Sequence, residues 1–210
     1  MKKHAVVWVG RPRRRAAALA RELRNLELTP LVKPAMRIAA AKDSAARKLF
    51  FARPQHFDLA VFVSEEAADR CRPHLPAAAS LPALAVGPAT FAAIAGIPAL
   101  AAQPAPAGDS EALLRLPQLQ AAKVRGKKIA VVGGVSGGDA DSLSPHLCRI
   151  LQKRGADISA VAVYRRLPPK PDAETARLVS AGIVRAAVAY SGGTAAAMLA
   201  MLAPNEAPLK

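Results

Sequence analysis

Tyr164 combines a hydroxyl group with neighbouring charges in a way that could support acid catalysis. It ends the apolar run ISAVAVY and is followed directly by Arg165 and Arg166. A phenolic hydroxyl beside fixed cations could donate a proton to a leaving group. The alternative is an ordinary tyrosine at the end of a strand, half buried with its hydroxyl in water. The residues alone leave both interpretations open.

Ser64 and Ser191 are further candidates, because each follows a short apolar run of the kind that forms a buried strand. Glu65 and Glu66 come directly after Ser64, and a serine before two acids is also typical of a helix N-cap. Neither serine lies in a GxSxG motif, so the nucleophile of a hydrolase is not indicated.

Two glycine-containing segments suggest anion binding. The segment LPALAVGPATFAAIAGI reads as a strand, a tight turn at Gly87 and Pro88, and a helix start that includes Ala89 and Thr90. Its backbone amides could bind an anion, or the turn could simply begin a helix. The second segment, GGVSGG at 133–138, matches neither GxGxxG nor GxxxxGK[ST], and we expect a flexible loop over 133–141.

The net charge of +15 over 210 residues favours an anionic partner. A solvated basic surface would explain the same charge. The basic residues are spread along the chain, and the few aromatic residues, 4% of the total, do not interleave with them. Because base-stacking platforms need that interleaving, the pattern counts against nucleic acid.

Cysteine, histidine and hydropathy patterns exclude several classes of protein. The two cysteines form no CxxC pair and the four histidines have no ligand spacing, so no metal site is predicted. No stretch offers about 18 uninterrupted apolar residues, as a membrane span would need. The apolar run after MKKH ends at Arg11, too early for a signal peptide, so we expect a cytoplasmic protein.

Predicted strands alternate with predicted helices throughout, which indicates an α/β fold with parallel sheets. Residues 101–109 read as a loop, and Ser110 reads as the cap of the next helix. The predicted strands are 3–10, 31–32, 58–63, 84–86, 129–134, 158–164 and 186–190, and the main predicted helices are 13–26, 42–56, 145–154 and 173–180.

The chain also contains an internal repeat. Residues 5–38 have the same order of elements as 129–167, and DLAVFVSEEAADR matches RAAVAYSGGTAAA, which aligns Ser64 with Ser191. That offset, 191 minus 64, would place the counterpart of Gly87 past residue 210. We therefore expect one half of the repeat to lack its last strand–turn–helix units.

In their order and spacing, these segments resemble the uroporphyrinogen-III synthase family. The family's opening Arg-Pro is matched by Arg11-Pro12, its Gly-Pro-x-Thr turn by 87–90, and its Val-Tyr-Arg exit by 163–165. Its Ser-x-Asn-Ala motif is matched at Ser64, although Glu66 replaces the asparagine. The arginines of the family's second glycine loop and its second Gly-Pro-Thr-Thr turn have no counterpart.

The resemblance implies a fold of two parallel-sheet α/β lobes joined by a two-stranded hinge, with one lobe incomplete and the active site in the cleft between them. One lobe would comprise 1–37 and 167–210, and the other 38–166. A cleft between lobes is also a common place for a ligand.

The implied activity is the cyclisation of hydroxymethylbilane to uroporphyrinogen III, with loss of water and inversion of the last pyrrole ring, in haem and sirohaem biosynthesis. The family needs no metal and no organic cofactor, and hydroxymethylbilane synthase would be the upstream donor of substrate. The alternatives are a non-catalytic tetrapyrrole- or anion-binding protein of the same fold, or a basic nucleic-acid-binding protein.

By position, the resemblance implies that Tyr164 is the catalytic residue, which assists loss of the hydroxyl group. The substrate carries eight carboxylates, which would account for the basic chain. The implied substrate-binding residues are Arg11, Ser64, Gly87, Ala89, Thr90 and Ser191.

Overall fold

The computed structural model describes residues 5–11, 13–78, 80–102, 108–136 and 143–202, with 13–15 as backbone only. The chain divides into two compact units, a first unit of 1–38 with 167–210 and a second unit of 39–166. Across the described residues, every helix falls short of the length and hydropathy of a bilayer span.

Nine strands and nine α-helices form within the described residues. In chain order they are β1 (Val6–Val9), α1 (Arg13–Asn25), β2 (Thr29–Val32), β3 (Arg37–Ala40), α2 (Ala45–Ala52), β4 (Leu59–Phe62), α3 (Glu65–Cys71), β5 (Leu81–Ala85), α4 (Pro88–Ala95), β6 (Leu100–Ala102), α5 (Ser110–Leu114), α6 (Ala121–Val124), β7 (Lys128–Ser136), α7 (Pro145–Lys153), β8 (Asp157–Leu167), α8 (Ala173–Ser180), β9 (Val184–Val188) and α9 (Gly192–Leu202).

The first unit is built on a three-stranded parallel sheet of order β2-β1-β9. Alternation along β1 sends successive side chains to opposite faces. Val7 and Val9 pack against Ala16 and Leu23 of α1 on one face. On the other face, Trp8 packs with the methionines of α9.

The second unit contains a six-stranded sheet of order β3-β8-β7-β4-β5-β6. β8 pairs with β7, β7 with β4, β4 with β5 and β5 with β6, and all four pairings are parallel. The predicted α/β class with parallel sheets is therefore confirmed. A core that includes Val61, Leu84 and Ile129 fills one side of the sheet, and Phe50 packs edge-on against Phe62.

The two sheets share a strand order that confirms the predicted repeat. The order β2-β1-β9 in the first unit corresponds to β8-β7-β4 in the second. In the second unit β5 pairs along the other edge of β4. In the described part of the first unit, no strand pairs along the corresponding edge of β9.

The strand predicted over 129–134 is confirmed and continues to Ser136, so the overlapping prediction of a flexible loop over 133–141 was wrong for its first four residues. Residues 133–136 belong to β7 and pair with β8, while 137–141 lie outside the described residues. Glycine is usually unfavourable within a strand, but it is retained where another group approaches the backbone closely. That condition holds here, because a Cβ at Gly133 would lie 2.4 Å from Val63 Cγ2.

Three local predictions also need correction. Ala101 and Ala102 belong to β6 rather than a loop, because their backbone pairs with β5. Asp109, not Ser110, caps α5, because its carboxylate accepts hydrogen bonds from two amides of the first turn. The single helix predicted over 42–56 ends at Ala52, and a 3-10 turn begins at Pro54, where proline cannot continue the helix.

Asp172 links the start of α8 to the end of β2. Its carboxylate accepts a hydrogen bond from the Thr175 amide at 3.0 Å. Lys33 Nζ lies 3.1 Å from the same carboxylate and 2.8 Å from Glu174. The Thr175 amide, and then Lys33, hold the pKa of Asp172 below its usual range.

Replacing Asp172 tests this helix cap. We expect Asp172→Ala to lower the free energy of unfolding by about 1 kcal/mol at pH 7, measured by urea titration. The folded-state pKa of Asp172 is lowered, so its stabilisation is complete above the unfolded value of about 3.9. As the pH falls through the pKa of Asp172 in the folded protein, the difference in free energy of unfolding between wild type and variant should become smaller.

Glu174→Ala is the matched control. It removes only a contact to Lys33 from a carboxylate that is 62% exposed, so a much smaller loss of stability is expected. If the difference in free energy of unfolding between wild type and Asp172→Ala stays constant from pH 7 to about pH 3, the charged Asp172 carboxylate does not act as the helix cap.

Candidate active site

A polar cluster lies at the carboxyl ends of β4, β7 and β8, which are neighbours in the sheet of the second unit. Tyr164 belongs to β8, and Ser64 lies two residues after the end of β4. Their hydroxyl oxygens are 3.1 Å apart. Ligands of open α/β sheets bind at this end of the strands, so the geometry makes the cluster a candidate site.

Gly134 determines where the Tyr164 ring can lie. The pairing of β7 with β8 shifts register between Gly133 and Gly134, and the shift places Gly134 opposite Tyr164. A Cβ at position 134 would lie 2.1 Å from two carbon atoms of the phenol ring. The ring therefore packs directly on the backbone of β7, and Tyr164 is only 2% exposed.

The Tyr164 hydroxyl is held from two sides. Arg166 Nη2 donates a hydrogen bond to Tyr164 Oη at 3.0 Å. A guanidinium group can only donate, so Oη accepts this bond and keeps its own proton for another partner. Ser64 Oγ is in reach, and it also accepts a hydrogen bond from the Ala67 amide at 3.3 Å.

Two guanidinium groups lie near the phenol ring. Arg166 is 5.4 Å and Arg70 is 6.0 Å from the ring centroid of Tyr164. Glu66 forms an ion pair with Arg70 at 2.6 Å, one helical turn along α3. The glutamate that replaces the asparagine of the family motif therefore holds one of the cations beside Tyr164.

The turn at Gly87 follows β5, one strand beyond β4. Gly87 has a φ of +82° and caps α4 without any side-chain acceptor. Ala89 is exposed, whereas Thr90 is buried within the first turn of α4, with 5% exposed. The turn therefore exposes Pro88 and Ala89, and the Thr90 side chain is largely enclosed.

The first unit has its own polar cluster, at the carboxyl ends of β1 and β9. The Arg11 guanidinium carbon lies 4.2 Å from the ring centroid of Tyr190, which directly precedes Ser191. Ser191 Oγ accepts a hydrogen bond from the Thr194 amide at 3.1 Å in the first turn of α9. A cation and a helix start are therefore adjacent, as in sites that bind anions.

The structure brings together some of the residues singled out from the sequence. Ser64 and Tyr164 are in contact, and Arg11 is joined to Ser191 through Tyr190. Gly134 was missed, because a residue 30 positions from Tyr164 gives no local signal of the contact. The pairing of Arg70 with Glu66 had a detectable signal, since opposite charges four residues apart meet on a helix.

Neither thiol is suited to nucleophilic chemistry. Burial raises the pKa values of both Cys71 and Cys148, which disfavours the reactive thiolate. Among the residues that the structure describes, no group of three histidine, cysteine, aspartate or glutamate side chains could hold a metal ion.

Comparisons with known proteins identify the family. The family model for uroporphyrinogen-III synthase HemD matches residues 17–210. No curated protein sequence gives a significant match.

Two solved structures share the fold. A mutant uroporphyrinogen III synthase from Thermus thermophilus is 22% identical, with a TM-score of 0.61, and the match covers 94% of this chain and 77% of that one. Uroporphyrinogen-III synthetase from Helicobacter pylori is 13% identical, with a TM-score of 0.56, and the match covers 97% and 80%. The family match spans most of the chain, and this protein belongs to the uroporphyrinogen-III synthase family.

Proposed function

We propose that this protein closes hydroxymethylbilane to uroporphyrinogen III, and that Tyr164 is the source of the proton with which the terminal hydroxyl group leaves as water. Family membership supports the reaction. The hydrogen-bonded chain from Arg166 through Tyr164 to Ser64 supports the assignment of the acid.

The proposed step breaks the bond between the terminal carbon and its hydroxyl oxygen. The electron pair stays with the oxygen, which takes a proton and departs as water, leaving an azafulvene cation. The phenolate left at Tyr164 would be stabilised by the hydrogen bond from Arg166. The last pyrrole ring attacks this cation, the resulting intermediate rearranges, and the macrocycle closes with that ring inverted. The ring then loses a proton, which returns Tyr164 to the phenol form, so the cycle balances without another acid.

Burial of Tyr164 suggests that the proton travels through Ser64. Tyr164 is 2% exposed, whereas Ser64 is only partly buried. In this route Ser64 passes its own proton to the leaving hydroxyl group and takes the phenolic proton of Tyr164. The 3.1 Å separation of the two oxygens is suitable for such a transfer.

Binding of the carboxylates would involve the basic and amide groups at the strand ends. We propose that Arg11 with Ser191, and separately the backbone at Gly87 and Ala89, bind carboxylates of the substrate. The net charge of +15 would raise the local concentration of a polyanion. We also propose that hydroxymethylbilane synthase supplies the substrate in the cytoplasm, since hydroxymethylbilane closes by itself when it is left free.

The reaction is tested by generating hydroxymethylbilane with its synthase in the presence of this protein. We expect uroporphyrinogen III as the product. Tyr164→Phe should lower kcat by about 10²–10⁴, the range for loss of a general acid, with little change in KM, because phenylalanine keeps the ring and loses only the hydroxyl. Ser159→Ala removes a hydroxyl from the other end of β8 and should keep full turnover.

Two results would contradict the proposal, at different levels. Uroporphyrinogen I as the only product would mean that the protein does not catalyse the inversion, as expected for a non-catalytic binding protein of this fold. If Tyr164→Phe formed uroporphyrinogen III at the wild-type rate, the proposed reaction would stand and Tyr164 would be excluded as the acid.

The role of Arg11 is tested by the same kinetics. Arg11→Ala should raise KM about tenfold, as expected for loss of a charged hydrogen bond worth ~1.4 kcal/mol, with kcat nearly unchanged. Arg115→Ala removes the same charge from the exposed end of α5 and is the control. An equal rise in KM for both variants would show that Arg11 acts only through the net charge.

A further inference from the structure

We propose that a cavity in the second unit, between α2 and α3, is a further ligand site, which takes a small organic anion with a planar ring and two carboxylates. This α2–α3 cavity has a volume of about 920 Å³, within the range of roughly 300–1,000 Å³ that is usual for small-molecule sites. The described residues that line it include none to which the proposed function assigns a role.

Three permanent cations line the α2–α3 cavity, and they come from both helices. Arg47 and Lys48 belong to α2, whereas Arg70 belongs to α3. Two carboxylates, those of Asp43 and Asp69, also line the cavity, so its formal charge is positive. Guanidinium groups bind carboxylates through paired N–H groups, and a lysine adds a compact charge. The lining is therefore suited to an anion with more than one acidic group.

The two arginines are better enclosed than the nearby aspartate that pairs with one of them. The Arg47 side chain is 20% exposed and the Arg70 side chain is 34% exposed, whereas the Asp43 side chain is 63% exposed. Water and salt screen an enclosed charge less than an exposed one. A carboxylate inside the cavity is therefore attracted by the arginines more strongly than it is repelled by Asp43.

Both guanidinium groups keep donors for a ligand. Arg47 Nη1 donates a hydrogen bond to the Ala41 carbonyl at 3.0 Å, and Arg47 Nη2 pairs with Asp43. Arg70 Nε donates to Glu66 at 2.6 Å. Because a guanidinium group carries five N–H groups, these contacts leave most of the donors of each arginine available. The same contacts hold the two side chains in place, which lowers the entropy cost of binding a ligand.

The remaining lining offers a surface for a ring. Phe51 of α2 and His74, which follows α3, have ring centroids 5.1 Å apart. Both rings line the cavity, together with Ala40 of β3 and Val163 of β8, which are neighbouring strands. A planar ring can bury apolar area against Phe51 and adopt an offset or edge-to-face arrangement with it. Aromatic dicarboxylates combine such a ring with two acidic groups.

Arg70 also makes the occupancy of the cavity observable. Its guanidinium carbon lies 6.0 Å from the ring centroid of Tyr164, so an anion bound to Arg70 changes the electrostatic surroundings of that ring. The chain has one other tyrosine, Tyr190, whose ring lies 4.2 Å from the guanidinium carbon of Arg11. The two tyrosines therefore report on two different groups of cations.

The proposal is tested by following the NMR signals of ring-labelled tyrosines while isophthalate, an aromatic dicarboxylate, is added. The variant Tyr190→Phe assigns the two signals. We expect the Tyr164 signal to shift and to saturate with isophthalate. Benzoate has the same ring with one carboxylate, and it should need about ten times the concentration for half-saturation, because one charged hydrogen-bonding group is lost.

Substitutions in the cavity locate the bound anion. Arg47→Ala should raise the isophthalate concentration at half-saturation about tenfold. Lys48→Ala removes an exposed cation from α2, which leaves the core intact, and should raise it about threefold. Lys153→Ala removes an equally exposed lysine from the end of α7, outside the cavity, and is the matched control. It should leave the titration unchanged.

Three results would overturn the proposal. The first is a Tyr164 signal that does not respond to isophthalate at high concentration. The second is a shift confined to Tyr190, which would place the anion at Arg11 alone. The third is a Tyr164 titration that neither Arg47→Ala nor Lys48→Ala alters, which would place the anion at Arg166. Because no readout involves turnover, each of these results leaves the proposed reaction to its own test.

Discussion

The candidate site depends on one close approach, that of the Tyr164 ring to the backbone of Gly134. With a side chain at position 134, the ring could not occupy its place, because a Cβ would lie 2.1 Å from it. The position of the ring in turn decides where its hydroxyl meets Ser64 and Arg166. If Tyr164 is the acid, as proposed, a hydroxyl group held in this way would lose little entropy when the reaction begins.

The two units present different side chains at the ends of the same strand order. In the second unit, the carboxyl ends of β8, β7 and β4 hold a buried phenol with a serine and an arginine. In the first unit, the corresponding ends of β1 and β9 hold the partly buried Arg11, which stacks on Tyr190 beside the start of α9. The repeat thus provides two similar frames, to which the proposed function assigns proton transfer in the second unit and anion binding in the first.

Much of the fold could be predicted because apolar runs and their glycine and proline boundaries are local signals. The sequence around Ser64 is typical of a helix N-cap, and the hydrogen bond from the Ala67 amide to Ser64 Oγ confirms this cap. The failures came where the deciding contact is distant or where neighbours compete. Pairing with β8 extended β7 through Val135 and Ser136, and Asp109 displaced Ser110 as a cap because both residue types serve equally well.

The contact between Gly134 and Tyr164 is tested most directly by comparing Gly134→Ala with Gly133→Ala. Both alanines would be crowded, and both should cost about 1–3 kcal/mol of stability. A Cβ at 133 meets Val63, however, whereas a Cβ at 134 meets the phenol ring. The account predicts that kcat of the folded protein falls sharply for Gly134→Ala and much less for Gly133→Ala. Equal kcat values for the two variants would contradict it.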